Sequence, residues 1–152
     1  MWAGWLLPPD AEVIFVGETE VDCREARTAL ARVGLDCVAG YLSGGMAAWI
    51  GAGRSTAQTK QTTAADIEAT PDALILDVRH ATERAHGGIS GAQGIALGEL
   101  SATLQALSRE QEIVAVCGSG YRSSAAASLL QRAGFAHVSH LGGGVAALGK
   151  PK

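Results

Sequence analysis

One segment of this chain occurs twice, and that repetition limits the folds open to it. Residues 13–49 read VIFVGETEVDCREARTALARVGLDCVAGYLSGGMAAW, and residues 113–148 read IVAVCGSGYRSSAAASLLQRAGFAHVSHLGGGVAAL. Each copy runs through a β-branched stretch, a small-residue loop, an Ala/Leu/Arg helix pattern, a short second strand pattern and a Gly-Gly turn. The helix patterns close on Gly34 and Gly134, a spacing far beyond the roughly 20–50 residues of a solenoid repeat and close to the size of a whole small domain.

The second copy follows a partner segment, residues 56–112, whereas the first copy has no such segment ahead of it. The expected organisation is therefore the back half of one unit, residues 1–53, a polar linker, residues 54–61, and a complete domain, residues 62–150. Half a parallel sheet leaves an edge and an apolar face uncovered, so residues 1–50 are expected to pack on the complete domain or on a second chain as a homodimer.

Inside the complete unit, strand and helix patterns alternate. Thr63 suits the N-cap of a helix running to Ala69, with Asp66 in its first turn. Leu74–Val78 is a short, continuous apolar run that predicts a buried strand, and the Gly-rich residues 80–94 predict a loop. Leu97, Leu100, Leu104 and Leu107 line one face of a helix over 97–107. Ile113–Val116 predicts a second buried strand. A helix from Ser123 to Ala133 should end at Gly134 in the left-handed conformation, and Val138–Leu141 predicts a third strand. The expected fold class is α/β: a parallel sheet with helices on both faces, preceded by a half-unit of the same kind.

Composition removes several functional classes. With 47% hydrophobic and 18% charged residues, the chain reads as a packed globular protein. Its net charge of −3 and scattered Lys and Arg give no footprint for nucleic acid. No stretch approaches the ~20 apolar residues that cross a bilayer, and the opening Met1-Trp2-Ala3-Gly4-Trp5 has neither a basic leader nor a cleavage site. The 3 cysteines, at 23, 37 and 117, show no CxxC spacing, which argues against a disulfide framework and against a zinc site. A reducing, cytoplasmic setting is expected. Cys23, in a helix pattern, and Cys37, just ahead of a strand, are read as core residues.

Cys117 differs from both. It follows the apolar run Ile113–Val116 directly and opens the loop Gly118-Ser119-Gly120-Tyr121-Arg122 ahead of a helix pattern. Ligands of parallel α/β sheets bind beyond the carboxyl ends of the strands. A Gly-rich turn into a helix presents backbone N–H groups, an anion cradle that also favours the thiolate form of cysteine. Arg122 adds a permanent cation. An activated thiolate in an anion cradle suits attack on an anionic sulfur donor.

As a set, these motifs resemble the rhodanese family. Cys117-Gly-Ser-Gly-Tyr-Arg-Ser123 resembles its active-site loop, Asp77-Val78-Arg79 with Glu83 and Gly87-Gly-Ile-Ser-Gly-Ala92 resembles its "DVR…E…GHIPGA" segment, and Leu141-Gly142-Gly143-Gly144 resembles its closing turn. The resemblance spans about residues 60–148. It implies a sulfurtransferase that takes a sulfane sulfur from thiosulfate or a low-molecular-weight persulfide onto Cys117 and passes it to a thiol or cyanide. No metal and no organic cofactor is implied. On this reading Cys117 is the nucleophile and Arg122 orients the anion. Gly118, Ser119, Gly120, Tyr121 and Ser123 form the binding loop. Asp77, Arg79 and Glu83 brace it, with an Arg79–Glu83 ion pair. The alternative is a rhodanese-like interaction or regulatory module without turnover.

The segment departs from the family pattern at Gly88, Ser90 and Leu148, where His, Pro and Trp are usual, so the rim of the site differs. His86 is read as a surface residue. The spacing is Cys-x4-Arg; related phosphatases and arsenate reductases use a longer Cys-x5-Arg loop, so the short loop favours sulfur over phosphorus chemistry. In the first copy Gly17 and Asp22 hold the places of Cys117 and Arg122, so that copy resembles a degenerate, inactive repeat. Such tandems occur in two-domain sulfurtransferases and behind persulfide dioxygenase domains.

Overall fold

The computed structural model describes residues 2–148, and the chain divides into two compact units, Met1–Ala57 and Gln58–Lys152. The first unit runs α1 (Ala3–Leu6), β1 (Val13–Phe15), α2 (Glu20–Ala31), β2 (Val38–Tyr41) and α3 (Gly45–Gly51), with β1 and β2 paired in parallel. A capping box starts α2: Asp22 N–H donates to the Thr19 hydroxyl at 3.2 Å, and the Asp22 carboxylate accepts the Thr19 N–H at 3.0 Å. Cys23 is buried in α2, but Cys37 is exposed, not the core residue expected. It stands at the entrance to β2, where its carbonyl accepts the Val13 N–H and its side chain meets solvent. Ile14, Val16, Tyr41 and Ile50 are exposed.

The second unit is built on a five-stranded, wholly parallel sheet of order β3-β7-β6-β4-β5. Its strands are β3 (Lys60–Thr62), β4 (Leu74–Asp77), β5 (Gln93–Gly94), β6 (Ile113–Val116) and β7 (Val138–Leu141). The helices are α4 (Ala64–Ala69), α5 (Ala81–Ala85), α6 (Leu97–Thr103) and α7 (Tyr121–Arg132), with 3-10 turns at Leu104–Ala106 and Gly144–Leu148. Central strand β6 is buried throughout, the state its unbroken Ile-Val-Ala-Val run requires of a strand covered on both faces. Val114, Val116 and Leu141 pack under Ile67 of α4 and under Val145 and Leu148. The opposite side of the unit is built by α7 against β6 and β7, with α6 against α7; Leu100, Ala126, Ala127 and Leu130 are fully enclosed.

Several local expectations hold. Thr63 caps α4, accepting the Asp66 N–H, and Gly134 closes α7 at φ +90°. Others are corrected. Lys60 and Gln61, expected in the linker, begin edge strand β3; its residues carry no apolar alternation, and only Thr62 is buried. The loop expected over 80–94 contains α5 and β5, elements of five and two residues that are too short to show a period. The α-helix expected to run to 107 tightens to a 3-10 turn after Thr103, and α7 starts two residues earlier than Ser123, at Tyr121.

Candidate active site

Register puts the two functional segments side by side. Asp77 pairs with Val116 across β4 and β6, and the Val78 N–H donates to the Val116 carbonyl at 2.9 Å. The chain therefore leaves the sheet at Val78–Arg79 and at Cys117–Gly118 from adjacent positions, beyond the carboxyl ends of the strands.

From Cys117 the loop turns through Gly120, whose φ of +96° is open only to glycine at low cost, and enters α7. The turn aims backbone donors at the sulfur. Sγ accepts the N–H of Gly120 at 3.1 Å and that of Ser123 at 3.4 Å. The Ser123 hydroxyl lies 3.5 Å from Sγ and donates to the Gly120 carbonyl at 2.9 Å. Burial opposes ionisation of this thiol, but the Ser123 hydroxyl and the N–H groups of Ser123, Ser119 and Gly120 outweigh it, so its pKa lies below the ordinary value. A hydroxyl has one proton: with a neutral thiol it serves Gly120, and on ionisation it can turn to the thiolate. Ser123→Ala is therefore expected to raise the midpoint pH for alkylation of Cys117 by iodoacetamide and to slow the reaction several-fold near neutral pH. An unchanged or lower midpoint contradicts this role for Ser123.

The closing glycines hold the loop from behind. Val145 N–H donates to the Cys117 carbonyl at 2.7 Å, and Ala146 N–H to that of Gly118 at 3.3 Å. Gly144 sits so close that a Cβ there would stand 2.3 Å from the Cys117 carbonyl oxygen and 2.5 Å from Ser119 N. The first unit shows the same approach: a Cβ on Gly45 would stand 2.5 Å from the Gly17 carbonyl oxygen, and the Cys23 sulfur lies 3.1 Å from where a Cβ on Gly17 would be. Sequence reasoning noted the Gly-Gly turn but did not place Gly144 and Val145 in the site; the signal was the turn's recurrence in both copies.

The charged residues pair differently from the expectation. Arg79 does not pair with Glu83. It forks onto Asp77 (Nη2–Oδ2 2.6 Å, Nε–Oδ1 3.0 Å) and donates to the Gly87 carbonyl at 2.8 Å. Asp77 ends β4 two residues away, so the short reach inside a buried pocket favours it. Glu83 instead binds Arg122 through two bonds of 2.6 Å. It lies in the first turn of α5, where its carboxylate also accepts the His80 N–H at 3.1 Å and swings over the loop. Arg122, expected to orient an anion, is thus held by a carboxylate. The bonds from Arg122 bring the Glu83 pKa down to about 2 from 4.5. The stability this pair contributes is complete above the unfolded value of 4.5 and disappears as pH falls through about 2, and it is small because Glu83 is partly exposed.

Among the remaining loop residues, Gly118 lies beside the Arg122 guanidinium, and Tyr121 is 72% exposed at the rim. His86 is a surface residue bonded to the Thr82 carbonyl at 2.7 Å. No helix among the described residues is long and apolar enough to cross a membrane.

The chain is 35% identical over 98 residues, 64% of its length and 91% of the relative's, to the Bacillus subtilis protein named "Putative sulfurtransferase YtwF". Its fold matches a rhodanese-related protein from Thermoplasma volcanium (28% identity, TM-score 0.57, 60% of this chain and 95% of that one). It also matches the human single-domain sulfurtransferase TSTD1 (26% identity, TM-score 0.51, 57% of this chain and 92% of that one). The family model for the rhodanese-like domain matches residues 59–150, which take in the whole sheet, the Cys117 loop and the glycine turn behind it, so the chain belongs to the rhodanese-like domain family.

Proposed function

We propose that the second unit is a sulfurtransferase that carries a sulfane sulfur as a persulfide on Cys117. Family membership and the sulfurtransferases among its relatives support a sulfurtransferase-type role. The observation that carries the finer reading is the thiol itself. Cys117 stands at the carboxyl end of the central strand, its sulfur accepting two backbone N–H groups and its pKa lowered.

In the first step the Cys117 thiolate attacks the outer sulfur of a donor R–S–S⁻. A new S–S bond forms, the donor's S–S bond breaks, and R–S⁻ leaves with the electron pair. With thiosulfate the leaving group is sulfite. Cys117 is left as a persulfide anion, whose single charge, now on the outer sulfur, falls in the same ring of N–H donors. In the second step a thiolate or cyanide attacks the outer sulfur, and the electron pair of the broken bond returns to Cys117 as thiolate. No electrons enter or leave overall. The backbone donors are built into the loop before any substrate arrives, so they need little reorganisation as charge moves between the two sulfurs.

Incubation with thiosulfate and cyanide is expected to yield thiocyanate and sulfite in equal amounts. Incubation with a persulfide and a thiol should yield a new persulfide on that thiol. Folded protein that does neither contradicts the proposal.

A further inference from the structure

Both guanidinium groups beside Cys117 are already matched by carboxylates. Arg79 is forked onto Asp77 inside the protein, and Arg122 onto Glu83 through two 2.6 Å bonds. Arg122 is the cation near the reacting sulfur: its Nη2 lies 3.6 Å from where a Cβ on Gly118 would be. A third guanidinium, Arg84, donates to the Arg79 carbonyl and lies over Gly94 on edge strand β5. The loop Cys117–Ser123 holds no other charged residue, and Gly87–Ser90 brings none to the rim. Each pair is neutral, so the two pairs and the ionised Cys117 together carry one net negative charge.

A doubly charged donor meets that charge unfavourably, whereas a donor with at most one charge at its reacting end meets it less so. Hydrogen bonds from backbone N–H groups still hold the sulfur, since they act at short range on either donor.

We propose that Glu83 is a specificity-determining residue: by neutralising Arg122 it turns the site away from dianionic donors such as thiosulfate and towards low-molecular-weight persulfides. This inference rests on Cys117 being the sulfur carrier. It assigns to Glu83 a role in choosing the donor, beyond bracing the loop.

The test measures the rate at which Cys117 gains sulfur from thiosulfate and from the persulfide of uncharged 2-mercaptoethanol, in the wild type, in Glu83→Gln and in Glu83→Gln/Arg122→Gln. Gln keeps the shape and one acceptor, and the Glu83 side chain is 38% exposed, so the fold is expected to tolerate the change. Glu83→Gln should raise the thiosulfate rate at least about tenfold relative to the persulfide rate. The double variant should lose that gain, because the unmasked cation is gone. In the wild type, thiosulfate loading should quicken as salt is raised, as between like charges, and Glu83→Gln should weaken that dependence. The salt series needs no variant and decides the matter even if a variant does not fold. An unchanged donor ratio in Glu83→Gln, or wild-type thiosulfate loading that slows with salt, overturns the role of Glu83. Failure of both donors to load folded wild type overturns the carrier reading, and this inference with it.

Discussion

Cys117→Ser is expected to abolish sulfur transfer and to leave the fold standing. An alcohol in this loop stays protonated at any pH the protein tolerates, and an oxygen cannot form the carrier persulfide. The loss should reach at least about 10⁴-fold, the scale expected when a covalent nucleophile is removed. The hydroxyl is smaller than the thiol but meets the same partners, the Gly120 and Ser123 N–H groups and the Ser123 side chain. Its buried oxygen is therefore satisfied, and stability should change by about 1 kcal/mol or less. Thiocyanate formation and a thermal melt check the two halves. A Ser variant with a tenth of wild-type activity contradicts the assignment of Cys117; an inactive variant that has also unfolded contradicts the account of its packing.

Gly144→Ala is the second large effect, this time on stability and activity together. At φ +63° any side chain strains the backbone by about 1–2 kcal/mol. The added methyl would also fall 2.3 Å from the Cys117 carbonyl oxygen and 2.5 Å from Gly118 C, both backbone atoms that no rotamer change can move aside. Relief requires the turn and the Cys117 loop to separate. That breaks the bonds from Val145 and Ala146 to Cys117 and Gly118 and tilts the peptide planes that aim N–H groups at Sγ. A destabilisation of about 3 kcal/mol or more is expected, a fall of roughly 12–24 °C in Tm for a unit of this size. The surviving folded fraction should alkylate at Cys117 with a raised midpoint pH. Wild-type Tm and midpoint in this variant would show that the turn does not hold the loop.

The parts of the site legible in the sequence are those written locally. Ile113–Val116 followed by Cys117 and a Gly-rich turn implies a strand, a loop beyond its carboxyl end and a helix start, and all three are found. Thr63 and Asp66 form the capping box their spacing suggests, because the motif is closed within one turn. The pairing of the charges was not legible. Glu83 reaches Arg122 across 39 residues, and only the register of β4 against β6 decides that the two loops face each other. Arg79 could reach either carboxylate on spacing alone; the turn into α5, five residues long and without a period, removed Glu83 from its reach. Strand β3 was hidden for a related reason: Lys60-Gln61-Thr62 owes its conformation to backbone pairing with β7. Gly144 shows a third limit, since a glycine's close neighbour, here the carbonyl of Cys117, leaves no trace in the residues beside it.

The most direct test of the central claim is the intact mass of the protein, reduced and then exposed to thiosulfate or to a persulfide, beside Cys117→Ser treated alike. The account predicts a gain of one sulfur atom, about 32 Da, on the wild type alone, and its loss on adding cyanide. No gain on folded, reduced wild type, or an equal gain on Cys117→Ser through Cys23 or Cys37, would contradict it.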